Sequence, residues 1–175
     1  MPPTETTLSA LERSWQMVDA ALADLDEATM TTRPNDESNS IAWTLWHMNR
    51  VADNFIHVRF QEKAPLWTSD GWHEKFGMPA DAADFGMGWD SARVAAWQAP
   101  SKDVLLGYFE AIKGAARAYL QPLTGEDLAQ QVPFPAPPNT VSIADALGVL
   151  LNDNLSHGGQ IAYLRGYYRG MGWYR

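Results

Sequence analysis

"VLLNDNLSHGGQIAYLRG", residues Val149 to Gly166, is apolar at both ends and polar in the middle. Followed from its start, one seam at alternating three- and four-residue steps runs Ile143, Leu147, Leu150, Asn154, His157, Ile161, Leu164 and Tyr168, the pattern of an amphipathic helix. Asn154 and His157 therefore fall on the stripe that faces a core. Asp153 sits one turn before His157, and residues at i and i+4 share a helix face, so the pair can aim an oxygen and a nitrogen at one point. Gly158 and Gly159 each cost about 1 kcal/mol relative to Ala inside a helix. Bare backbone at that level suits a close helix crossing or an approaching ligand.

Three further helices surround this one. Leu8, Leu11, Trp15, Val18, Leu22 and Leu25 mark the first, over about residues 7–25. "TRPNDESNS" is a loop by its turn chemistry, with Ser38 or Ser40 placed to cap a second helix over about residues 40–61, whose seam is Ile41, Leu45, Met48, Ala52, Phe55 and Val58. Ser101 opens a third, over about residues 101–120, along Leu105, Tyr108, Ile112, Ala115 and Tyr119, and Pro122 closes it. "PFPAPPNT" cannot be helical, and Ser142 with Asp145 reads as a capping box opening the fourth, over about residues 142–169. No strand pattern competes. The expectation is an all-α four-helix bundle forming a single domain over residues 1–175.

The stretch from Lys63 to Pro100 is too long for a simple turn, since unstructured loops beyond about 15 residues are uncommon in compact domains. Antiparallel neighbours need only short connections, so a long crossover predicts that helices two and three run parallel. Trp67, Trp72, Phe76, Met78, Phe85, Met87, Trp89 and Trp97 make this linker too aromatic for disorder. It is expected to pack over the bundle, as a cover for exposed helix faces, a dimer interface or a pocket wall.

Helix two supplies a counterpart to the polar break in "SIAWTLWHMNRVADNF", where His47 adjoins the seam residue Met48 and Asn54 lies two turns on. A His from one helix and an i, i+4 pair from another is a common way for a bundle interior to hold a divalent metal. The candidate ligands are His47, Asp153 and His157; the competing reading is a hydrogen-bonded polar core. Asn54, Asn154, Gln160 and Tyr163 stand as candidates for orienting the ligands or lining a pocket. His57 with Asp53 reads as a solvated surface pair, and His73 as a linker residue able to reach over a pocket.

The chain has 175 residues, of which 46% are hydrophobic, enough for a real core. Its net charge of −8 opposes binding to phosphate backbones, so nucleic acid is not an expected partner. Arg165, Arg169 and Arg175 form one small basic group, suited to an anion or to offsetting a helix dipole. No apolar run is long enough for a membrane span, and "MPPTETTLSALERSW" has neither the basic nor the apolar region of a secretion signal, so the expected location is cytoplasmic. With no cysteine, any metal site must use His, Asp or Glu.

"RPNDESNSIAWTLWHMNRVADNFI", followed later by "HGGQIAYLRGYYRGMGW", resembles the DinB-like superfamily of bacterial helical proteins, in the branch related to thiol-dependent S-transferases and mycothiol-dependent enzymes. The resemblance spans nearly the whole chain. It implies a four-helix bundle with up-down-down-up topology and a divalent metal, most often nickel or zinc; a homodimer and a role in stress response are further expectations for this chain. The family's ligands are one His on helix two and a His-x-x-x-His pair on the last helix. Carried over, these positions are His47, Asp153 and His157, so a carboxylate stands where the family has its first His of the pair. A two-His, one-carboxylate set also admits manganese or iron and leaves coordination positions open.

The implied chemistry is a transferase or isomerase reaction on a small-molecule substrate, with a metal-activated low-molecular-weight thiol such as mycothiol or bacillithiol, since the chain has no thiol of its own. The alternatives are a metal-dependent hydrolase using water, and a non-catalytic dimeric stress or interaction protein with a decayed metal site.

Overall fold

A computed structural model describes residues 2–137 and 139–174; Pro138 of the proline-rich turn and Arg175 of the basic group lie outside the described residues. The protein is all-α apart from one small hairpin. Its elements in chain order are α1 (Glu5–Leu22), α2 (Glu27–Thr31), α3 (Ile41–Asp53) continued by a π-helix (Asn54–Arg59), α4 (Leu66–Ser69), α5 (Trp72–Lys75), α6 (Ser91–Ala96), α7 (Lys102–Leu120), α8 (Gly125–Ala129), β1 (Gln131–Pro133), β2 (Thr140–Ser142) and α9 (Ile143–Arg169). The long elements α1, α3, α7 and α9 form the bundle, and their apolar seams meet in one core containing Leu11, Trp15, Leu45, Trp46, Phe109, Leu150 and Ile161.

Contacts at two levels along each pair give the helix directions. Trp15 meets Asn154 while Asp24 meets Arg165, so α1 and α9 run the same way. Asp53 meets Tyr108 and Phe60 stacks on Tyr119, so α3 and α7 are parallel. Lys113 pairs with Asp19 and Arg117 with Glu12, so α7 opposes α1.

Serine caps set three of the four starts. The Ser40, Ser101 and Ser142 hydroxyls accept from the backbone N–H of Trp43, Val104 and Asp145, satisfying donors that a helix start leaves free. The Asp145 carboxylate accepts from the Ser142 hydroxyl, not from its backbone, so the expected capping box is only half formed. A full box occurs at α8 between Thr124 and Asp127. The other end of α1 is capped from outside, where Lys102 Nζ donates to the carbonyls of Leu22, Ala23 and Leu25.

The structure corrects the sequence reading in three places. Residues 131–133 and 140–142 pair as an antiparallel hairpin around the proline-rich turn, although no strand was expected; these strands are too short for alternation to register. Helix two changes to π geometry after Asp53, and the wider turn lets Arg59 Nε reach Asn54 Oδ1 at 2.9 Å. Asp53 and His57 are not a solvated pair, because Asp53 is fully buried. Asp53 Oδ1 accepts from Leu66 N and lies 2.8 Å from His57 Nδ1, while Oδ2 accepts from Trp67 N and from the Tyr108 hydroxyl at 2.6 Å. One carboxylate thus fastens the start of the linker to α3 and α7.

From that anchor the linker climbs back along α3 and seals it. Trp67 and Phe76 pack at the level of Tyr108, and Trp89 and Trp97 pack on Trp46 with ring centroids 5.1 and 5.7 Å away.

Gly158 lies at a close approach of α1 and α9. A Cβ there would lie 2.6 Å from Ser14 Oγ, whereas at Gly159 it would meet nothing within 4 Å among the described residues. Gly158→Val is therefore expected to overpack the crossing and cost about 1–3 kcal/mol. Gly159→Ala is expected to be neutral or stabilising by up to about 1 kcal/mol through helix propensity. Thermal melts of both variants check this, and equal shifts would contradict it.

Candidate metal centre

α3 and α9 meet where each carries a His on or beside its apolar seam. His47, on α3, and Asp153 and His157, one turn apart on α9, each offer a ligand atom, and these atoms lie within 4.8 Å of one another. His157 Nε2 is 3.4 Å from Asp153 Oδ1, and the rings of His47 and His157 approach edge to face with centroids 4.9 Å apart. A divalent ion bound at about 2.0–2.2 Å places its donors roughly 3.4 Å from each other in tetrahedral geometry. Small side-chain movements suffice to reach that spacing.

The far nitrogen of each His is already committed. His47 Nδ1–H donates to the Phe85 carbonyl, and His157 Nδ1 lies 2.8 Å from Gln160 Oε1 as donor. With Nδ1 protonated, the neutral ring keeps its lone pair on Nε2, so both rings present the atom that a metal takes. Asp153 Oδ2 is buried and has no hydrogen-bond partner among the described residues. An unpaired carboxylate oxygen beside two imidazoles suits a cation, so the residues fit a divalent metal.

The electrostatics differ between the two rings. Burial holds His47 below its ordinary value, and the neighbouring His157 adds to this, while the Phe85 carbonyl and Asp153 oppose it. His47 is thus neutral near pH 7, as ligation requires. Burial also acts to lower His157, but its hydrogen bonds to Asp153 and Gln160 outweigh burial and hold it above the usual value. Metal binding at this centre therefore competes with protonation of His157.

Of the accessory candidates, Gln160 lies at the centre, on His157. Tyr163 stands beside a cleft of about 710 Å³ that shares Gln160 with the centre and continues past Thr44, Ser156, Gly159 and Tyr167. Among the described residues, none that lines this cleft carries a formal charge. Asn54 and Asn154 are directed elsewhere. Asn54 accepts from Arg59 and Asn154 accepts from Trp15 Nε1 at 3.2 Å, so α9 turns Asn154 toward α1 and Asp153 toward α3. His73 Nδ1 donates to the Trp67 carbonyl instead of reaching over the centre. Arg165 and Arg169 pair with Asp24 and Asp26, so neither is a free anion site.

Sequence reasoning missed the loop before α6. Gly86, at φ +88°, sits so close to α3 that a Cβ would come within 2.8 Å of the Trp43 and Trp46 rings and 3.3 Å of His47 Nδ1. This approach brings the Phe85 carbonyl onto His47. The available signal was the pair of glycines in "DFGMG", whose need for left-handed backbone becomes visible only beside the helix it touches.

Residues 10–161 match the family model described as the DinB superfamily. Among solved structures, a conserved protein from Enterococcus faecalis is similar at 26% identity with a TM-score of 0.87, over 98% of this chain and 99% of that one. No curated protein matches the chain. Among the described residues, no helix is long and apolar enough to cross a membrane.

Proposed function

This chain belongs to the DinB superfamily, and on that footing we propose that it is a metal-dependent enzyme whose centre is His47, Asp153 and His157. The observation that carries the reading is the convergence of three ligand atoms within 4.8 Å while the Nδ1 of each His is engaged elsewhere. Two imidazoles and one carboxylate suit nickel or zinc and leave positions open for a substrate atom. When bound, such a metal lowers the pKa of a coordinated thiol or water, making a nucleophile available near neutral pH.

The chain's own residues do the rest. Gln160 holds the His157 ring, the Phe85 carbonyl holds the His47 ring, and the uncharged cleft beside them receives a small-molecule substrate. The reaction class is thiol-dependent S-transfer or isomerisation. With no cysteine in the chain, the thiol comes from a small cosubstrate.

Elemental mass spectrometry of tag-free protein tests the centre. Near-stoichiometric nickel or zinc is expected in the wild type, with loss of metal in His157→Ala at retained helicity. Absence of metal after reconstitution with nickel, zinc and manganese would overturn the reading and leave Asp153–His157 as a structural pair. Turnover that needs an added thiol separates transfer from hydrolysis by water.

A further inference from the structure

We propose that Arg50 is a positioning residue of the metal centre, acting on His47 through the backbone of the loop over residues 81–86. The inference rests on the metal reading above and concerns how the helix-two ligand is held.

Arg50 lies one turn after His47 on α3 and is fully buried. A buried guanidinium needs compensation for its lost hydration. Part of it comes from Asp53, whose Oδ2 is 3.6 Å from Nη1, and part from the Trp67 ring, whose centroid is 4.6 Å from Cζ. The guanidinium's hydrogen bonds all go to one loop, while Nε and Nη1 have no hydrogen-bond partner among the described residues. Nη2 donates to the carbonyls of Asp81, Ala82 and Asp84, each at 3.1 Å. These carbonyls immediately precede Phe85, whose own carbonyl accepts from His47 Nδ1.

The same loop is braced from its other side. Asp84 Oδ1 accepts from Gly86 N at 3.2 Å and from Trp89 Nε1 at 2.9 Å, and its second oxygen pairs with Arg93. Gly86 then allows the backbone to lie against Trp43 and Trp46. The residues on either side of Phe85 are thus held, Asp84 through its carbonyl by Arg50 and through its carboxylate by Gly86 N, Trp89 and Arg93. A fixed acceptor at Nδ1 sets the tautomer and orientation of His47, so Nε2 is bare and aimed at Asp153 and His157. Freed from that acceptor, a neutral imidazole places its proton on either nitrogen and rotates, and outer partners of metal-binding His residues are worth about 10- to 100-fold in affinity.

The test uses Arg50→Met, with Arg50→Lys as the conservative replacement, and Gly86→Ala as an independent way to displace the loop without touching Arg50. Two readouts are taken. Histidine-ring ¹⁵N shifts of metal-free protein at pH 8 report the tautomer of His47, assigned with His47→Gln; zinc titration against a chelating dye reports affinity. The wild type is expected to show His47 protonated on Nδ1. Arg50→Met and Gly86→Ala are expected to show mixed tautomers and zinc binding weakened about 10- to 100-fold, with Arg50→Lys in between. A folded Arg50→Met with wild-type tautomer and affinity would overturn the proposal. If Arg50→Met does not fold, Gly86→Ala decides in the same way. If the wild type binds no zinc, the metal reading fails, and the tautomer measurement still decides whether Arg50 positions His47.

Discussion

Replacing Asp53 with Ala is expected to destabilise the protein by about 3–5 kcal/mol, the range for removing one partner from a buried charge network. The substitution strands the Tyr108 hydroxyl, the backbone N–H groups of Leu66 and Trp67, the His57 ring and the buried Arg50 together. Urea unfolding followed by circular dichroism measures the loss. A change under 1 kcal/mol would show that the linker does not depend on this anchor.

The same carboxylate sets a pH dependence. Burial pushes its pKa up, but hydrogen bonds from His57, Tyr108 and the Trp67 and Leu66 amides outweigh burial and hold it below the ordinary Asp value. A depressed folded-state pKa contributes stability that is fully present above the unfolded value of about 3.9 and is lost as pH falls through the folded value. The stability gap between wild type and Asp53→Asn is therefore expected to narrow as the pH falls below about 4. Parallel pH profiles down to pH 3 would contradict this assignment.

The second large effect is expected at Trp46, which is fully buried and touches Trp43, Trp67, Trp89 and Trp97. Trp46→Ala removes the surface on which the linker seats, at a cost of about 3–5 kcal/mol. At about 2–4 °C per kcal/mol for a chain of this size, the melting temperature falls by roughly 6–20 °C. Trp46→Phe is expected to cost much less. The indole N–H has no hydrogen-bond partner among the described residues, so the smaller ring loses volume but also removes an unsatisfied donor. Equal melting temperatures for the two variants would mean that ring packing at this position is immaterial.

Much of the bundle was legible because four seams are long enough for their 3.6-residue period to show. The metal candidates were legible for the same reason: His157 interrupts such a seam, Asp153 lies one turn before it on the same face, and His47 borders another seam. What could not be read is what depends on contacts between distant segments. Asp53 and His57 have the spacing of an ordinary surface pair, and only the linker folding over them buries Asp53 and half-buries His57. Asn154 and Asp153 are adjacent in sequence, yet 100° of helix rotation sends one to Trp15 and the other to His157. The Phe85 carbonyl is backbone, which carries no residue-type signal at all.

The parallel pairing of α1 with α9 has a consequence in time. Ser14 and Asn154, which touch across this crossing, are 140 positions apart in the chain. At ribosomal speeds of about 5–20 residues per second, α1 waits roughly 7–28 s for its main neighbour to be synthesised. Throughout that interval the side of α1 that α9 covers lacks its partner, an exposure that a bundle of successive hairpins would not have. Arrival of α9 closes the core and brings Asp153 and His157 to His47, so the proposed ligand set is assembled only with the tertiary fold.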